Sequence, residues 1–440
     1  MARTREVTRR DFLKTATVAV AAGSATPMTA APALLSNSSP GSTVHYGFIG
    51  TGTEGCNLLK RLATIPEGRC IATCDIYAPN LKRGVETIGS NPQTYTGSPT
   101  EYRRLLERKD MDAVLIATPL SMHAQMIIDA LNAGKHVFVE KTMYFTEEEG
   151  NQIRKAAEAN SKQVLQIGLQ RRSSVLYNVA IQMIRKGALG KVMFVRAQWH
   201  RNNNWRRPVR DKQFERLINW RMYRQYSGGL MAELASHQVD IANWAFGEEP
   251  LSVTGTGGID YWKDGREVCD NIEVIFKYTG GRKMLYSSIL YNAHLGYNEQ
   301  IMGDRGTIII TIGKGMYYRE AAAKVTTGKA KENWWAGATV TQQAVQQGIP
   351  LFPEEGQSQQ GFVDREMLYA KRWLASMGIY EYEEPHNPYW SELSNFMASI
   401  RDGKPIACPI EIGMADARCV IYGNRAIDTG TTVSWPQKAA

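Results

Sequence analysis

The sequence predicts an α/β protein whose first half is a parallel sheet with helices on both faces. Three observations carry this expectation. A G-x-G-x-x-G run lies between an apolar strand and a helix. An acidic residue ends the next strand. Strands and helices then alternate at short spacing. The 440 residues, 43% hydrophobic and 22% charged, suffice for two globular domains.

The chain begins with a candidate export signal. Arg9 and Arg10 precede Phe12, Leu13 and Lys14, and a mild Ala/Thr/Val stretch follows. Small residues around Ala31 and Ala33 suit a cleavage site. Residues 1–33 therefore read as a twin-arginine signal peptide, with a periplasmic or extracytoplasmic destination. An uncleaved anchor is the alternative. Pro27 and the Ala/Gly/Ser content argue against it, since a span needs about 20 strongly apolar residues. No stable membrane span is expected once the signal is removed.

The formal net charge is +9, and residues 1–33 contribute +3 of it. The remainder shows no dense Lys/Arg tract interleaved with aromatics, so no nucleic-acid partner is expected. The basic cluster WRRPVRDK at 205–212 reads as a solvated face, with a phosphate-binding patch as the alternative. Six cysteines form no CxxC pair and read as buried free thiols, with a Cys70–Cys74 disulfide as the weaker alternative.

A Ser/Pro/Gly linker occupies 34–43. A dinucleotide-binding domain is then expected over 44–165. Residues 44–49 form an apolar strand, and Gly50, Thr51, Gly52 and Gly55 make the turn into a helix over 56–62. Gly50 allows the tight turn. Gly52 lets the backbone approach a pyrophosphate, and Gly55 lets helix and strand pack closely. Asp75 ends the next strand, 20 residues after Gly55. A carboxylate there accepts hydrogen bonds from a ribose and repels a 2′-phosphate. NAD is therefore the expected cofactor, while Lys82 and Arg83 nearby leave NADP open.

The alternation continues through MDAVLIATP, SMHAQMIIDALNAG, KHVFVEKT, EEEGNQIRKAAEAN and KQVLQIGLQRR. Ligands bind at the carboxyl ends of such strands. Those ends carry Thr118, Pro119, Glu140, Lys141, Gln170 and Arg171. Lys141 projects from a strand end, where it can bond a substrate hydroxyl. In AELASHQVD, Glu233, His237 and Asp240 stand four and three apart, on one face of an α-helix.

These motifs together resemble the Gfo/Idh/MocA family, the relatives of glucose–fructose oxidoreductase and inositol dehydrogenase. The resemblance rests on GFIGTGTEG, ATPLSMH, VFVEKT and GGLMAELASHQVD, in that order. It implies that His123 in the second motif lies beside the cofactor. It implies a second domain on an open, mostly antiparallel sheet, and a homo-oligomer, dimer or tetramer. It implies His237 as the acid/base, Lys141 assisting and Asp240 contacting substrate. The family's Glu-Lys-Pro is Glu140-Lys141-Thr142 here, and its first Asp in the helix is Glu233. Chemistry agrees with the assignment: imidazole titrates near neutrality, and a carboxylate one turn away can orient it. The E-x3-H-x2-D spacing matches no known zinc pattern, so no metal is expected.

The second domain is expected over 166–440. DNIEVIFKY, RKMLYSSILYN and GTIIITIG read as its strands. Trp199, His200, Trp205, Trp220 and Tyr223 offer faces for stacking a sugar ring, Trp205 being the one assigned to substrate. Core packing is the commoner role of such residues. A Gln- and aromatic-rich insertion at about 320–385 reads as a lid, a subunit contact or a surface excursion. YWSELSNFMASIRDG and GMADARCVIYGNRAIDTG close the chain as helices.

The expected activity is exported NAD(P)-dependent oxidation or reduction of a secondary alcohol in a sugar, cyclitol or glycoside. A tightly bound, self-recycled cofactor fits export. The alternatives are a redox-assisted glycosidase or lyase, disfavoured because the glycosidase branch's own motif is not found, and a non-catalytic sugar sensor.

Overall fold

The computed structural model describes residues 43–209, 211–320, 348–351, 362–380 and 386–436, with short strand pieces at 332–333 and 338–339. The export signal, all but the end of the linker and much of the 320–385 insertion lie outside the described residues. Among the described residues no helix is long and apolar enough to cross a membrane.

The first half follows the strand–helix alternation. Its elements are β1 (Val44–Ile49), α1 (Thr53–Leu62), β2 (Gly68–Cys74), α2 (Ala78–Ile88), β3 (Gln93–Tyr95), α3 (Glu101–Leu106), β4 (Ala113–Ile116), α4 (His123–Asn132), β5 (His136–Glu140), α5 (Glu147–Ala159) and β6 (Leu165–Gly168). The sheet order is β3-β2-β1-β4-β5-β6, and every pairing is parallel. Strands covered on both faces need no polar alternation, and Ala113 to Ile116 are all fully buried. A capping box starts α5: Thr146 accepts from Glu149 N–H, and the Glu149 carboxylate returns the bond. The strand order reverses between β1 and β4, which opens a crevice at their carboxyl ends. The short edge pieces β3 and α3 carry too little periodic signal to be foreseen.

The second half contributes α6 (Val175–Arg185), β7 (Val192–Trp199), α7 (Ser236–Phe246), β8 (Ser252–Gly258), β9 (Asn271–Lys277), β10 (Lys283–Ile289), β11 (Tyr297–Gly303), β12 (Gly306–Thr311) and β13 (Lys314–Arg319). The larger sheet runs β13-β12-β11-β7-β10-β9-β8, with Ile349–Pro350 added at one edge and Val433–Ser434 at the other. Only β7 and β10 pair in parallel. Residues alternate between buried and exposed along β9, so one face is covered and the other open. The expected open, mostly antiparallel sheet is thus present.

The chain ends with α8 (Phe362–Ser376), α9 (Pro388–Asp402) and α10 (Ile410–Thr429). On sequence α9 counts with the second domain, yet it packs on the first sheet. Phe396 meets Phe138 edge-on at 5.8 Å, in a cluster with Phe48, Leu115, Leu393 and Met397. Helical periodicity marks which side of α9 is apolar, but not which sheet it covers. All six cysteines are unpaired, so Cys70 and Cys74 on β2 form no disulfide.

Candidate active site

The glycine-rich turn after β1 is shaped to receive phosphates. Gly50 has φ +92°, and a Cβ there would lie 2.5 Å from the Ala117 carbonyl oxygen. A Cβ on Gly55 would stand 1.9 Å from the Gly50 carbonyl oxygen, so α1 and the turn touch. A Cβ on Gly52 would meet nothing within 4 Å: this position faces open space. No side chain caps α1, which leaves its first N–H groups free for an anion.

Asp75 lies beside this turn and is nearly buried. Its Oδ2 accepts from Thr51 N–H at 2.8 Å and from the Thr51 hydroxyl at 3.3 Å, and its Oδ1 accepts from Tyr77 N–H at 2.8 Å. Burial raises its pKa despite these donors and the nearby Arg83. An apolar slot of about 300 Å³ opens next to it, walled by Ile76, Pro119, Met122 and Met126. Leu217 and Trp220 of the second half also line this slot. Free amides, an open glycine, an acidic residue and an apolar slot fit a dinucleotide.

Thr118 lines both this slot and the adjoining cavity. His123 sits below them, with Nδ1 2.8 Å from the Thr142 carbonyl and Nε2 2.9 Å from the Thr118 carbonyl. Burial pushes its pKa down, and the two carbonyl contacts work in the opposite direction. The peptide bond between Lys141 and Thr142 is cis. Two expected cofactor residues lie elsewhere. Gln170 is buried and lines neither space. The Arg171 guanidinium is enclosed by Tyr177, Trp199 and Tyr297, behind the cavity wall. Both follow β6, whose loop turns towards the larger sheet and away from the crevice.

The adjoining cavity, of about 430 Å³, brings Lys141, Glu233 and His237 together with Glu140 and Thr53. The segment before α7 explains the arrangement. Met231–Ala235 is a π-helical turn and not part of a regular α-helix. Such a turn frees carbonyls from the i→i+4 pattern. Lys141 Nζ donates to two of them, Ala232 O and Glu233 O, each at 3.1 Å. An ammonium has three protons, so one remains for the cavity.

The same turn removes Glu233 from His237. Its carboxylate accepts from Arg221 Nε at 2.7 Å and makes no bond to the imidazole. Burial works to raise the Glu233 pKa, but Arg221 and Lys141 outweigh it and hold it below the usual carboxylate range. His237 is 6% exposed and tilts against Trp199 at 5.9 Å between ring centres. Its Nδ1 is buried without a partner, which leaves Nε2 to meet the cavity. The expected orientation of His237 by Glu233 is therefore corrected to packing by Trp199.

Asp240 also departs from expectation. It is 2% exposed, does not line this cavity, and is gripped by Arg172 through contacts of 2.6, 2.9 and 3.1 Å. It ties α7 to the turn after β6. Trp205 does line the cavity, in the left-handed region at φ +64°. A bulky residue there stores strain, which tends to collect at functional sites. Trp199 and Trp220 are cavity residues as well. His200 bonds Ser287 at 2.9 Å, and Tyr223 bonds Glu215 at 2.9 Å, away from it.

Sequence inspection missed the cavity's arginines and Tyr389. Arg206 pairs with Glu215 at 2.6 Å, and Arg207 donates to the Thr53 hydroxyl at 2.6 Å across 154 positions of chain. WRRPVRDK was the available signal, and its position over the glycine-rich turn favours the phosphate-patch alternative over a solvated face. Nothing in the sequence marked Arg201 or Arg221. Among the described residues no group of three or more His, Cys, Asp or Glu is placed to hold a metal ion.

Comparison with known proteins agrees with this architecture. Residues 44–168 match the model of an oxidoreductase family's NAD-binding Rossmann fold, and residues 181–435 match that of its C-terminal alpha/beta domain. A glycosyl hydrolase family 109 protein of Shewanella sp. (strain MR-4) is 31% identical over 188 residues, which are 41% of this chain and 39% of that one. An alpha-N-acetylgalactosaminidase of Shewanella oneidensis is 33% identical over 170 residues, 37% and 36% of the two chains. The matches thus span well under half the length of these curated relatives. Among solved structures, a levoglucosan dehydrogenase in complex with NADH and levoglucosan has a TM-score of 0.67 at 17% identity, over 90% of this chain and all of that one. An aldose-aldose oxidoreductase of Caulobacter crescentus has a TM-score of 0.64 at 21% identity, over 89% of this chain and all of that one. At these identities the structures speak to fold.

Proposed function

The chain belongs to the Gfo/Idh/MocA oxidoreductase family and carries its NAD-binding Rossmann fold, and from that premise we propose that it oxidises or reduces a secondary alcohol of a sugar, cyclitol or glycoside. The observation that carries the proposal is the convergence of Lys141, His237 and the Thr53 end of the glycine-rich turn on one cavity. Gly52, Asp75 and the free amides of α1 would hold the nucleotide, with Arg207 at Thr53 beside its phosphates. When bound, the nicotinamide accepts or supplies the hydride. His237 Nε2 takes the hydroxyl proton as the carbinol C–H bond breaks, and returns it in the reverse direction. Lys141 keeps one N–H for the same oxygen and stabilises negative charge on it. Trp205 offers a ring face to the sugar.

We further propose export by the twin-arginine route, a tightly held and self-recycled cofactor, and a dimer or tetramer. The test is direct. Mature protein purified without added cofactor is denatured, and the released nucleotide is read by absorbance and mass. NAD(H) or NADP(H) near one per chain supports the proposal. Protein that comes out empty and binds neither added nucleotide overturns it.

A second reading is favoured by the names of the Shewanella relatives. In a redox-assisted glycosidase the same cavity oxidises the sugar transiently. The neighbouring carbon then loses a proton, the glycosidic bond breaks by elimination, water adds and the hydride returns. Incubating glycosides in D2O separates the two. Aglycone release with deuterium at the carbon beside the oxidised one identifies the glycosidase. Net sugar oxidation without aglycone release identifies the dehydrogenase.

A further inference from the structure

We propose that the substrate carries an oxyanion, a carboxylate or a phosphate or sulfate ester, held by Arg201. This inference rests on the carbohydrate reading above and names the substrate class within it. It starts from charge. Arg201, Arg206, Arg207, Arg221 and Lys141 all line the cavity. Four of them are engaged. Arg206 has Glu215, Arg221 has Glu233, and Lys141 has two carbonyls. Arg207 reaches Thr53 at the phosphate-binding turn.

Arg201 differs from the other four. Among the described residues its side chain makes no hydrogen bond and no ion pair; it lies over the face of Trp199, 4.6 Å from its guanidinium carbon, with Tyr286 also close enough to act on its charge. It is half-buried on the wall that also carries His237. Burial pushes its pKa down and the neighbouring Arg221 adds to this, although guanidinium stays charged. Three carboxyl groups line the cavity and none bonds Arg201: Glu233 is occupied by Arg221, and Glu54 at the glycine-rich turn accepts from Asn57. Nor can Glu140 compensate, because burial pushes its pKa up to about 8 and leaves it protonated at neutral pH.

A half-buried charge without a partner is costly. Arg207, at Thr53 of the glycine-rich turn, is the arginine placed to meet the cofactor's phosphates, and Arg201 has no such contact with that turn. The missing counter-ion is therefore assigned to the substrate. The planar fork of an arginine suits bidentate contact with a carboxylate or phosphate. Trp205 in the same cavity offers a ring face for the sugar, so one cavity reads both parts of a sugar acid or ester.

The experiment uses the nucleotide-loaded full-length protein and matched sugars: glucose with glucuronate, galactose with galacturonate, and glucose with glucose 6-phosphate. Affinity is followed by intrinsic fluorescence or calorimetry, and turnover by nucleotide absorbance. The acidic member should bind at least ~10-fold more tightly, with the gap narrowing as salt rises. Comparing glucuronate with glucose 6-phosphate distinguishes carboxylate from phosphate. In Arg201→Gln the acidic member should fall to the affinity of its neutral twin, while the bound nucleotide per chain stays at the wild-type level. Arg201→Lys, which keeps the charge but loses the fork, should retain part of the preference. Equal affinities within every pair, with the neutral sugars turned over, would overturn the inference and leave the hydride-transfer reading intact. Loss of nucleotide from Arg201→Gln would overturn it too, by assigning Arg201 to the cofactor. If no member of any pair binds or reacts, both fall together.

Discussion

Arg221 donates its Nε–H to Glu233 at 2.7 Å, so the carboxylate one turn ahead of His237 answers to an arginine and not to the imidazole. This pair ties the short helical turn at Trp220–Met222 to the π-helical turn at Met231–Ala235. Glu233 is lowered in pKa in the folded state, against burial, by Arg221 and Lys141. Its stabilising contribution is therefore full above the ordinary carboxylate pKa and is lost as pH falls through the folded value. Arg221→Gln should cost about 3 kcal/mol near neutrality, because a mostly buried carboxylate loses its partner. It should also move the onset of acid unfolding to higher pH. Thermal melts of both proteins from pH 3 to 8 check this, and superimposable curves would show the pair to be energetically silent.

Gly52 and Gly55 separate cofactor binding from folding. Gly52 faces open space with extended backbone, φ −64° and ψ −163°, which a residue with a side chain can also adopt. Gly52→Val should leave the melting temperature of the nucleotide-free protein nearly unchanged and weaken NAD binding by at least ~10-fold. Gly55→Ala puts a Cβ 1.9 Å from the Gly50 carbonyl, so it should destabilise the fold itself by roughly 3 kcal/mol or more. Melting and nucleotide titration of the two variants read both effects.

Asp240 and Arg172 predict a stability effect where substrate binding was expected. Asp240→Asn should lower stability by about 3–5 kcal/mol, since Arg172 is left buried and uncompensated. The double replacement Arg172→Met with Asp240→Leu should recover much of that loss. Denaturant titration of the three variants is the measurement. A double variant no better than the single one would mean that the pair has no such balance.

Glu140 predicts a dependence on alkaline pH. Burial raises it, Glu54 adds to this, and the pKa reaches about 8. The folded protein therefore holds a proton that the unfolded chain gives up above about pH 4.5. The stability this provides is complete below that value and declines as pH rises through about 8. Glu140→Gln should flatten the decline between pH 5 and 9. Glu392, raised in the same way beside Glu140, accounts for the part that remains. Melting temperatures across this range test the difference.

His237 and Lys141 carry the chemistry proposed above. His237→Asn should reduce turnover by ~10²–10⁴-fold while nucleotide content stays at one per chain. Lys141→Met should lower turnover and also loosen the π-helical turn, because Ala232 O and Glu233 O both lose the Lys141 ammonium, with the Ser236 hydroxyl still donating to Ala232 O. Hydrogen exchange over 230–237 would report that loosening. Undiminished turnover in His237→Asn would remove the acid/base assignment.

Much of the fold was legible in local pattern. Apolar runs of four to seven residues marked β1, β2, β4 and β5, and the glycines marked the turn that Gly50, Gly52 and Gly55 now build. Asp75, Lys141 and His237 were singled out because strand ends and helix faces put chemistry in predictable places. The failures share a cause. Gln170 and Arg171 were assigned by position on a strand end, but their loop turns towards the larger sheet. Glu233 was paired with His237 by α-helical spacing, and the chain at Met231–Ala235 is not α-helical; Asp240 does lie on the α-helix, and its distant partner Arg172 draws it away from the cavity.

The sequence by itself determined the two-sheet plan, the dinucleotide-binding turn and the residues able to move a proton. These are properties of short segments, in which periodicity and backbone freedom act over a few residues. Tertiary structure alone decided which partner each charged group meets. Arg221 takes Glu233, Arg172 takes Asp240, Arg207 reaches Thr53, and Arg201 is left facing the cavity. Such pairings join groups far apart in the chain. Their strength depends on distance and burial, and neither exists until the two halves have packed together.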